Sequence, residues 1–382
     1  MTHRMVWNQT AYFGPGAITH IPEEIARRAF HKVFVVTDQH LVQAGVAKKV
    51  TDLLDTNHIP YAMFDDVVAN PTIENVQAGV AAFDAAQADV IVAIGGGSPL
   101  DTAKAIGIIA SNREFADVRS LEGVAPTKRP AVPIIAVPTT AGTASETTIN
   151  YVITDVQNRR KFVCVDPNDI PVLAIVDPDM MATAPRSLKV ATGLDALTHA
   201  IEGYITGGAW ELSDMFHKKA FEIIASALPE AADGDAAAMA RMALGQYIAG
   251  MGYSNVGLGL VHAMAHPLGA FYDAPHGVAN GVLLPSVMAF NAPDSGEKYR
   301  DIAAAFGVDT STMTIDDARD AAVKAVHDLV VGLGNPTTIT ALGASAADIE
   351  ALAEAAAADV CAGGNPRNAS VAQIAELYRA LL

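Results

Sequence analysis

The sequence predicts an α/β amino-terminal domain over residues 1–183 and an all-α carboxyl-terminal domain over 184–382. Two observations carry this. In the first half, short β-rich runs alternate with helical stretches, the order of βαβ units around a mostly parallel sheet. After "DMMATAPRSLKVATG" the composition turns to long Ala- and Leu-rich segments with few β-branched runs, which places a boundary near Thr183.

The elements follow in chain order. "KVFVVTD" (32–38) is a strand, and "AGVAKKVTDLLDTN" and "TIENVQAGVAAFDAAQ" have helical periodicity. "DVIVAIGGGS" (89–98), "AVPIIAVPTT" (131–140) and "PVLAIVDPD" (171–179) are further strands. The second half continues as helices to "VAQIAELYRALL"; its Ala clusters, such as "ALAEAAAADV", are ordinary helix formers. No repeat period indicates a solenoid.

Composition narrows the function classes. A chain of 382 residues, 51% hydrophobic, can bury a large core. Its 42 acidic against 25 basic residues give a net charge of −17, which repels nucleic acid and anionic membrane surfaces, so neither is an expected partner. Cys164 and Cys361 are the only cysteines, too few for a disulfide framework and without a metal-finger spacing, which points to a reducing compartment. The amino terminus has no apolar core of signal-peptide length, and no run reaches membrane-spanning length. A soluble, cytoplasmic protein is expected.

In "ADVIVAIGGGSPLDTAKAIG" a buried strand runs into Gly95, Gly96 and Gly97, and Ser98 and Pro99 open a helix with Asp101 in its first turn. Glycines let backbone N–H groups approach a phosphate closely, and a helix amino end supplies partial positive charge. A tight strand-to-helix turn without ligand would read the same way. The pattern departs from the G-x-G-x-x-G fingerprint, and no acidic residue ends a strand about 20 residues later. Asp38, ending the earlier strand, could hold ribose hydroxyls and disfavour a 2′-phosphate, or could be a strand-end turn aspartate. A second loop, "PTTAGTASETT" (138–148), offers Thr139, Thr140 and Thr143 around Gly142. Hydroxyls and amides converging at strand ends suit a dinucleotide crevice.

The second half carries a different chemistry. In "GLGLVHAMAHPLGAFYDAPHGVANGVLLP" (257–285), His262, His266 and His276 are nearly the only ionisable groups. Imidazoles among apolar neighbours are costly to bury without partners, and a metal ion would be one. His262 and His266 lie four apart, as do Asp195 and His199 in "ATGLDALTHAIEGY", so each pair shares a helix face. Imidazoles with one carboxylate suit Fe(II) or Zn(II), whereas Mg(II) and Ca(II) prefer oxygen cages. Taken singly, each pair could equally be a surface pair or a hydrogen-bonded core histidine.

Five motifs in order, "GGGSPLDTAKA", "PTTAGTASETT", "GLDALTHAIEGY", "GLVHAMAHPLGA" and "PHGVANGVLLP", resemble the iron-dependent (group III) alcohol dehydrogenase family, and the likeness spans nearly the whole chain. The resemblance implies the dehydroquinate synthase-like fold of that family: a dinucleotide-binding α/β domain, a helical domain and a catalytic metal in the cleft between them. It implies Asp195, His199, His262 and His276 as ligands of Fe(II) or Zn(II), with His266 beside the metal as a proton relay or the organiser of a hydrogen-bond network. It implies NAD contacts at Asp38, Asn70, Gly96, Gly97, Ser98, Asp101, Thr139, Thr140 and Thr143, with Val152, Lys161 and Met180 further along. Asn150, Tyr253 and Leu258 are implied near the substrate; Tyr253 could also be a helix-packing aromatic. A homodimer is expected through the amino-terminal strand.

The implied reaction is metal-assisted hydride transfer between NAD(H) and short-chain aldehydes, primary alcohols or diols, such as lactaldehyde with propane-1,2-diol or glycolaldehyde with ethylene glycol. Two rivals stand beside it. A carbon–oxygen lyase of the dehydroquinate synthase type would need basic residues for a phosphorylated substrate, and the motifs around these histidines are apolar. A metal-stabilised assembly protein is the rival outside catalysis, and no extra domain is read in the sequence to support it.

Overall fold

The computed structural model describes residues 2–158 and 160–382. The chain forms two compact units, Met1–Ala184 and Pro185–Leu382.

The first unit contains β1 (Thr10–Phe13), β2 (Val33–Val36), β3 (Tyr61–Phe64), β4 (Val90–Gly95), β5 (Ile134–Pro138), β6 (Asn150–Asp155), β7 (Arg160–Val165) and β8 (Leu173–Val176). Its helices are α1 (Ile21–Arg27), α2 (Gln39–Gln43), α3 (Val46–Thr56), α4 (Ile73–Ala86) and α5 (Gly97–Ser111). Six strands make one sheet in the order β1-β8-β5-β4-β2-β3, with every neighbouring pair parallel.

Strand alternation explains how that sheet is covered. Val33, Val35, Val90, Val92, Ile94, Ile135 and Val137 point to one face and pack with Ile21 and Ile25 of α1 and Val46, Val50 and Leu54 of α3. Phe34, Val36, Ile91, Ala93, Ile134 and Ala136 point to the other, against Phe83 of α4 and Leu100, Ala103 and Ile106 of α5. Burial on both faces is why these strands read as unbroken apolar runs.

The four strands expected from sequence are β2, β4, β5 and β8. The chain adds β3 between the two anticipated helices, the edge strand β1, and the antiparallel pair β6–β7. β3 is only four residues long and mostly half-exposed, so it has little apolar contrast with its surroundings. The pair packs Tyr151, Ile153, Phe162 and Cys164 against Ile73 and Val76 of α4 and Ala105, Ile108 and Ile109 of α5.

The second unit is helical: α6 (Arg186–Ile205), α7 (Glu211–Ala232), α8 (Ala236–Val256), α9 (Leu260–Tyr272), α10 (His276–Asn291), α11 (Lys298–Ala305), α12 (Ile315–Gly332), α13 (Ile349–Ala358) and α14 (Val371–Arg379). α6 is its central element, buried almost continuously from Val190 to Ile205 and packed against α7, α8 and α10. Among the described residues no helix is long and apolar enough to cross a membrane.

Candidate metal centre and cofactor loops

The two loops singled out in the first unit meet because their strands are neighbours. β4 and β5 are paired in parallel, with Gly95 opposite Pro138, so the glycine loop and the threonine loop leave the sheet at the same end. The sheet order reverses between β2 and β4, because the chain steps from β2 to β3 on one side and then places β4 on the other. Asp38 follows β2 and the glycine loop follows β4, so both flank this switch point, where open α/β sheets bind nucleotides.

Close packing explains the glycines. A Cβ on Gly95 would fall 2.3 Å from the Pro99 ring, and one on Gly97 would fall 3.0 Å from Thr143 Cγ2. Gly96 caps α5 without a side-chain hydrogen bond, so the helix amino end is not closed by its own cap residue. The helix begins at Gly97, one residue before the expected start. Asp101 therefore lies in the second turn, a correction to its expected place in the first. Its half-buried carboxylate accepts from Ser145 Oγ at 2.7 Å and from the Val152 N–H at 2.9 Å. Burial pushes its pKa up to about 6, against the opposing effects of Lys104 and those two donors.

Asp38 Oδ1 caps α2 by accepting from the Leu41 N–H at 2.9 Å. Asn70 sits in the left-handed region at φ 54° and accepts from Lys161 Nζ at 2.8 Å, so two expected cofactor residues touch each other. Thr139 donates its N–H to Gly95 O at 2.9 Å. Thr140 lies against Gly96, where a Cβ would be 3.2 Å from its Oγ1. Met180 follows β8, and its side chain belongs to the core on the α1/α3 face of the sheet.

In the second unit Asp195 and His199 lie one turn apart on α6, His262 is in the first turn of α9, and His276 opens α10. α10 can press this close because Gly277 has no side chain: a Cβ there would fall 2.0 Å from the Ala191 carbonyl, one turn before Asp195. Asp195 Oδ1 lies 3.4 Å from His276 Nε2 and 3.7 Å from His262 Nε2. Tetrahedral bonds of about 2.0–2.1 Å set donor atoms roughly 3.4 Å apart, so these three fit a small divalent ion. The ligand atoms of Asp195, His262 and His276 all lie within 4.8 Å of one another. His199 is outside that group: its Nδ1 is 3.9 Å from Asp195 Oδ2, and its ring is stacked between Tyr253 at 4.1 Å and His262 at 4.5 Å.

The electrostatics favour a cation. Burial raises the Asp195 pKa, but His199, His276 and His262 outweigh it and hold the carboxyl below its usual range. Burial also disfavours the His262 imidazolium, yet its hydrogen bonds to Asp195 and Glu202 win and hold its pKa at about 9. Asn280 turns its Nδ2 toward the same point, 2.8 Å from Asp195 Oδ1, 3.2 Å from His276 Nε2 and 3.4 Å from His262 Nε2. The Asn280 Oδ1 is buried without a hydrogen-bond partner. Asp195 Oδ1 accepts from Asn280 Nδ2, and two imidazole nitrogens close around the same point, a donor set that suits a metal ion.

His266 is turned to a different partner. Its Nδ1 is 2.7 Å from Asp359 Oδ2, and its ring stacks on His276 at 5.4 Å. Asp359 also accepts from the Cys361 N–H at 2.8 Å. Burial raises the Asp359 pKa, and His266 and the Cys361 N–H bring it below the usual value.

Residues 189–382 match the family model described as the Fe-containing alcohol dehydrogenase family, C-terminal, and residues 8–178 match the model for iron-containing alcohol dehydrogenase. The chain is 59% identical over 378 residues to lactaldehyde reductase of Escherichia coli K12, covering 99% of both proteins. The chain belongs to the iron-containing alcohol dehydrogenase family. Among solved structures, a 1,3-propanediol oxidoreductase superposes with a TM-score of 0.97 at 38% identity over 100% of both chains. Sulfoacetaldehyde reductase from Bifidobacterium kashiwanohense in complex with NAD+ superposes with a TM-score of 0.88 at 27% identity, over 100% of this chain and 99% of the other. As a member of this family the chain is an oxidoreductase of alcohols and aldehydes that uses a metal and NAD.

In this alcohol dehydrogenase the expected pocket residues divide between the units. Asn150 starts β6 in the first, with its side-chain Oδ1 buried and without a partner. Tyr253 and Leu258 are buried in the second. Sequence reasoning missed Glu202, Asn280 and Asp359. Glu202 and Asn280 had a local signal, since they follow His199 by three and His276 by four positions on the same helices. Asp359 had none, being 93 residues from His266.

Proposed function

We propose that this alcohol dehydrogenase is a lactaldehyde reductase, reducing lactaldehyde to propane-1,2-diol with NADH and running in reverse with NAD+, and that it also handles glycolaldehyde and ethylene glycol. The metal would be Fe(II) or Zn(II). The observation that carries the chemistry is the approach of Asp195 Oδ1 to two imidazole Nε2 atoms at tetrahedral donor spacing. The full-length identity to lactaldehyde reductase supports the substrate.

Asp195, His262 and His276, with His199 beside them, would hold the ion. A bound ion polarises a carbonyl or lowers an alcohol's pKa, and NADH supplies the hydride. The uncapped amino end of α5 and the Gly96 and Gly97 amides would bind the pyrophosphate. Asp38 would bind the ribose hydroxyls and repel a 2′-phosphate, favouring NAD over its phosphorylated form. Lys161, held by Asn70, would stand toward the cofactor as a cation. Asp359 would hold the His266 Nδ1–H, so that the doubly protonated ring gives its Nε2 proton to the product alkoxide, becomes neutral, and takes a proton back from water.

The reading includes a homodimer in the cytoplasm. β1 is an edge strand, and Phe13 at its end and Trp7 just before it are exposed, which supports pairing with a second copy.

The test is NADH oxidation with lactaldehyde, using metal-stripped protein reconstituted anaerobically with Fe(II) or Zn(II). Turnover restored by one metal supports the assignment. A stoichiometric metal with no turnover on any short aldehyde would return the lyase and assembly readings.

A further inference from the structure

The α9 amino end is closed from outside its own helix. Its cap residue, Gly259, makes no side-chain hydrogen bond, so the first-turn N–H groups need other acceptors. Asn365 Oδ1 accepts from Leu260 N at 3.1 Å. Glu202 Oε1 accepts from Val261 N at 2.6 Å, and Glu202 Oε2 is 3.4 Å from His262 N. The same Oε2 takes the His262 Nδ1 proton at 2.6 Å. Both Glu202 and His262 are 2% exposed, so water does not compete for these bonds.

Glu202 lies on α6 seven residues after Asp195 and three after His199, on their face of the helix. One helix therefore carries two of the expected ligands and the carboxylate that orients a third on another helix. With Nδ1–H engaged by a carboxylate, the neutral His262 ring carries its lone pair on Nε2, the nitrogen that faces Asp195, once a metal ion displaces the second proton.

We propose that Glu202 is a positioning residue for the metal: through its hydrogen bond to His262 Nδ1 it fixes the tautomer and ring plane that present Nε2, and so sets metal affinity. This rests on the metal-site reading given above. A carboxylate behind an imidazole also makes it a stronger donor, and loss of such partners typically weakens metal binding about 10–100-fold. The substitution Glu202→Gln separates this role from helix capping. The amide oxygen can still accept from Val261 N. Its NH2, turned to Nδ1, would donate to that nitrogen, moving the ring proton to Nε2 and removing the ligand lone pair.

The experiment measures Zn(II) affinity of the metal-stripped full-length chain by competition with a chromogenic chelator, and the Co(II) absorption spectrum as a report on coordination. Wild type, Glu202→Gln, His262→Ala and the double variant are compared, with thermal melts of each metal-free protein. The expected result is an affinity about 10–100-fold weaker in Glu202→Gln, an altered Co(II) spectrum, and less than about threefold further change when Glu202→Gln is added to His262→Ala. Unchanged affinity in Glu202→Gln overturns the proposal, as does an equal loss in the His262→Ala background, which would make Glu202 a helix cap only. Where Glu202→Gln does not fold, Glu202→Asp, which keeps the charge but draws it back by one methylene, takes its place under the same outcomes. If wild type binds no Zn(II) that His262→Ala abolishes, the metal-site reading itself fails, and this proposal with it.

Discussion

Substituting Gly97 by alanine tests whether the two loops of the first unit form the cofactor cradle. The added Cβ would lie 3.0 Å from Thr143 Cγ2 and 3.6 Å from Thr143 Cβ. Carbon contacts are favourable only from about 3.5 Å, so the loops must separate by roughly half an ångström. Inserting a methyl where packing is complete costs about 1–3 kcal/mol, and 1.4 kcal/mol is tenfold in affinity. Gly97 is the first residue of α5, outside the helix interior where alanine gains about 0.5–1 kcal/mol over glycine, so helix propensity does not offset this cost. The expected result is NADH binding about tenfold weaker in a fluorescence titration of the folded variant, with a lowered thermal midpoint. The companion change Thr143→Ser removes the Cγ2 that is struck, and in the double variant NADH affinity should return to within about threefold of wild type. Wild-type NADH affinity in Gly97→Ala, or no recovery in a folded double variant, would refute the cradle.

Asp195→Ala removes the carboxylate shared by two imidazoles; Zn(II) affinity of the metal-stripped protein should fall by at least about 100-fold, and chelator competition measures it. His266→Ala should lower kcat by about 100-fold or more and change the pH–rate profile, because the Asp359-held imidazole is gone; an unchanged profile would rule out the relay. His217 gives a stability prediction: burial first, then the charges of Lys298 and His199, push its pKa down to about 3, so the folded chain keeps it neutral. Below the unfolded value of about 6.5 only the unfolded state takes the proton, so stability contributed at pH 7 is lost as pH falls toward 3, about 2 kcal/mol of it by pH 5. Denaturant titrations at pH 7 and pH 5 should show that loss in wild type and not in His217→Asn; parallel behaviour of the two proteins would contradict it.

Local pattern carried much of this molecule. Apolar runs revealed β2, β4, β5 and β8 because those strands are buried on both faces, and helical spacing put Asp195 with His199 on one face because burial and periodicity are both read along the chain. The glycine loop was legible because its composition is itself the device. β3 and β1 were not, since a short, half-exposed strand at a sheet edge differs little from a loop.

Tertiary structure decided which groups answer each other. Neither the separation of 60 positions from Glu202 to His262 nor that of 93 from His266 to Asp359 leaves a trace in any local period. Asp101 follows the glycine loop in sequence, and only the fold shows that its carboxylate accepts from Ser145 Oγ and the Val152 N–H, 44 and 51 positions away. The sequence alone named the imidazoles and the carboxylate of the candidate centre. Only the crossing of α6, α9 and α10 determined that Asp195, His262 and His276 converge, with His199 stacked beside them, because donor spacing depends on how closely helix backbones approach. At Gly277 that approach is set by an absent side chain, which periodicity does not record.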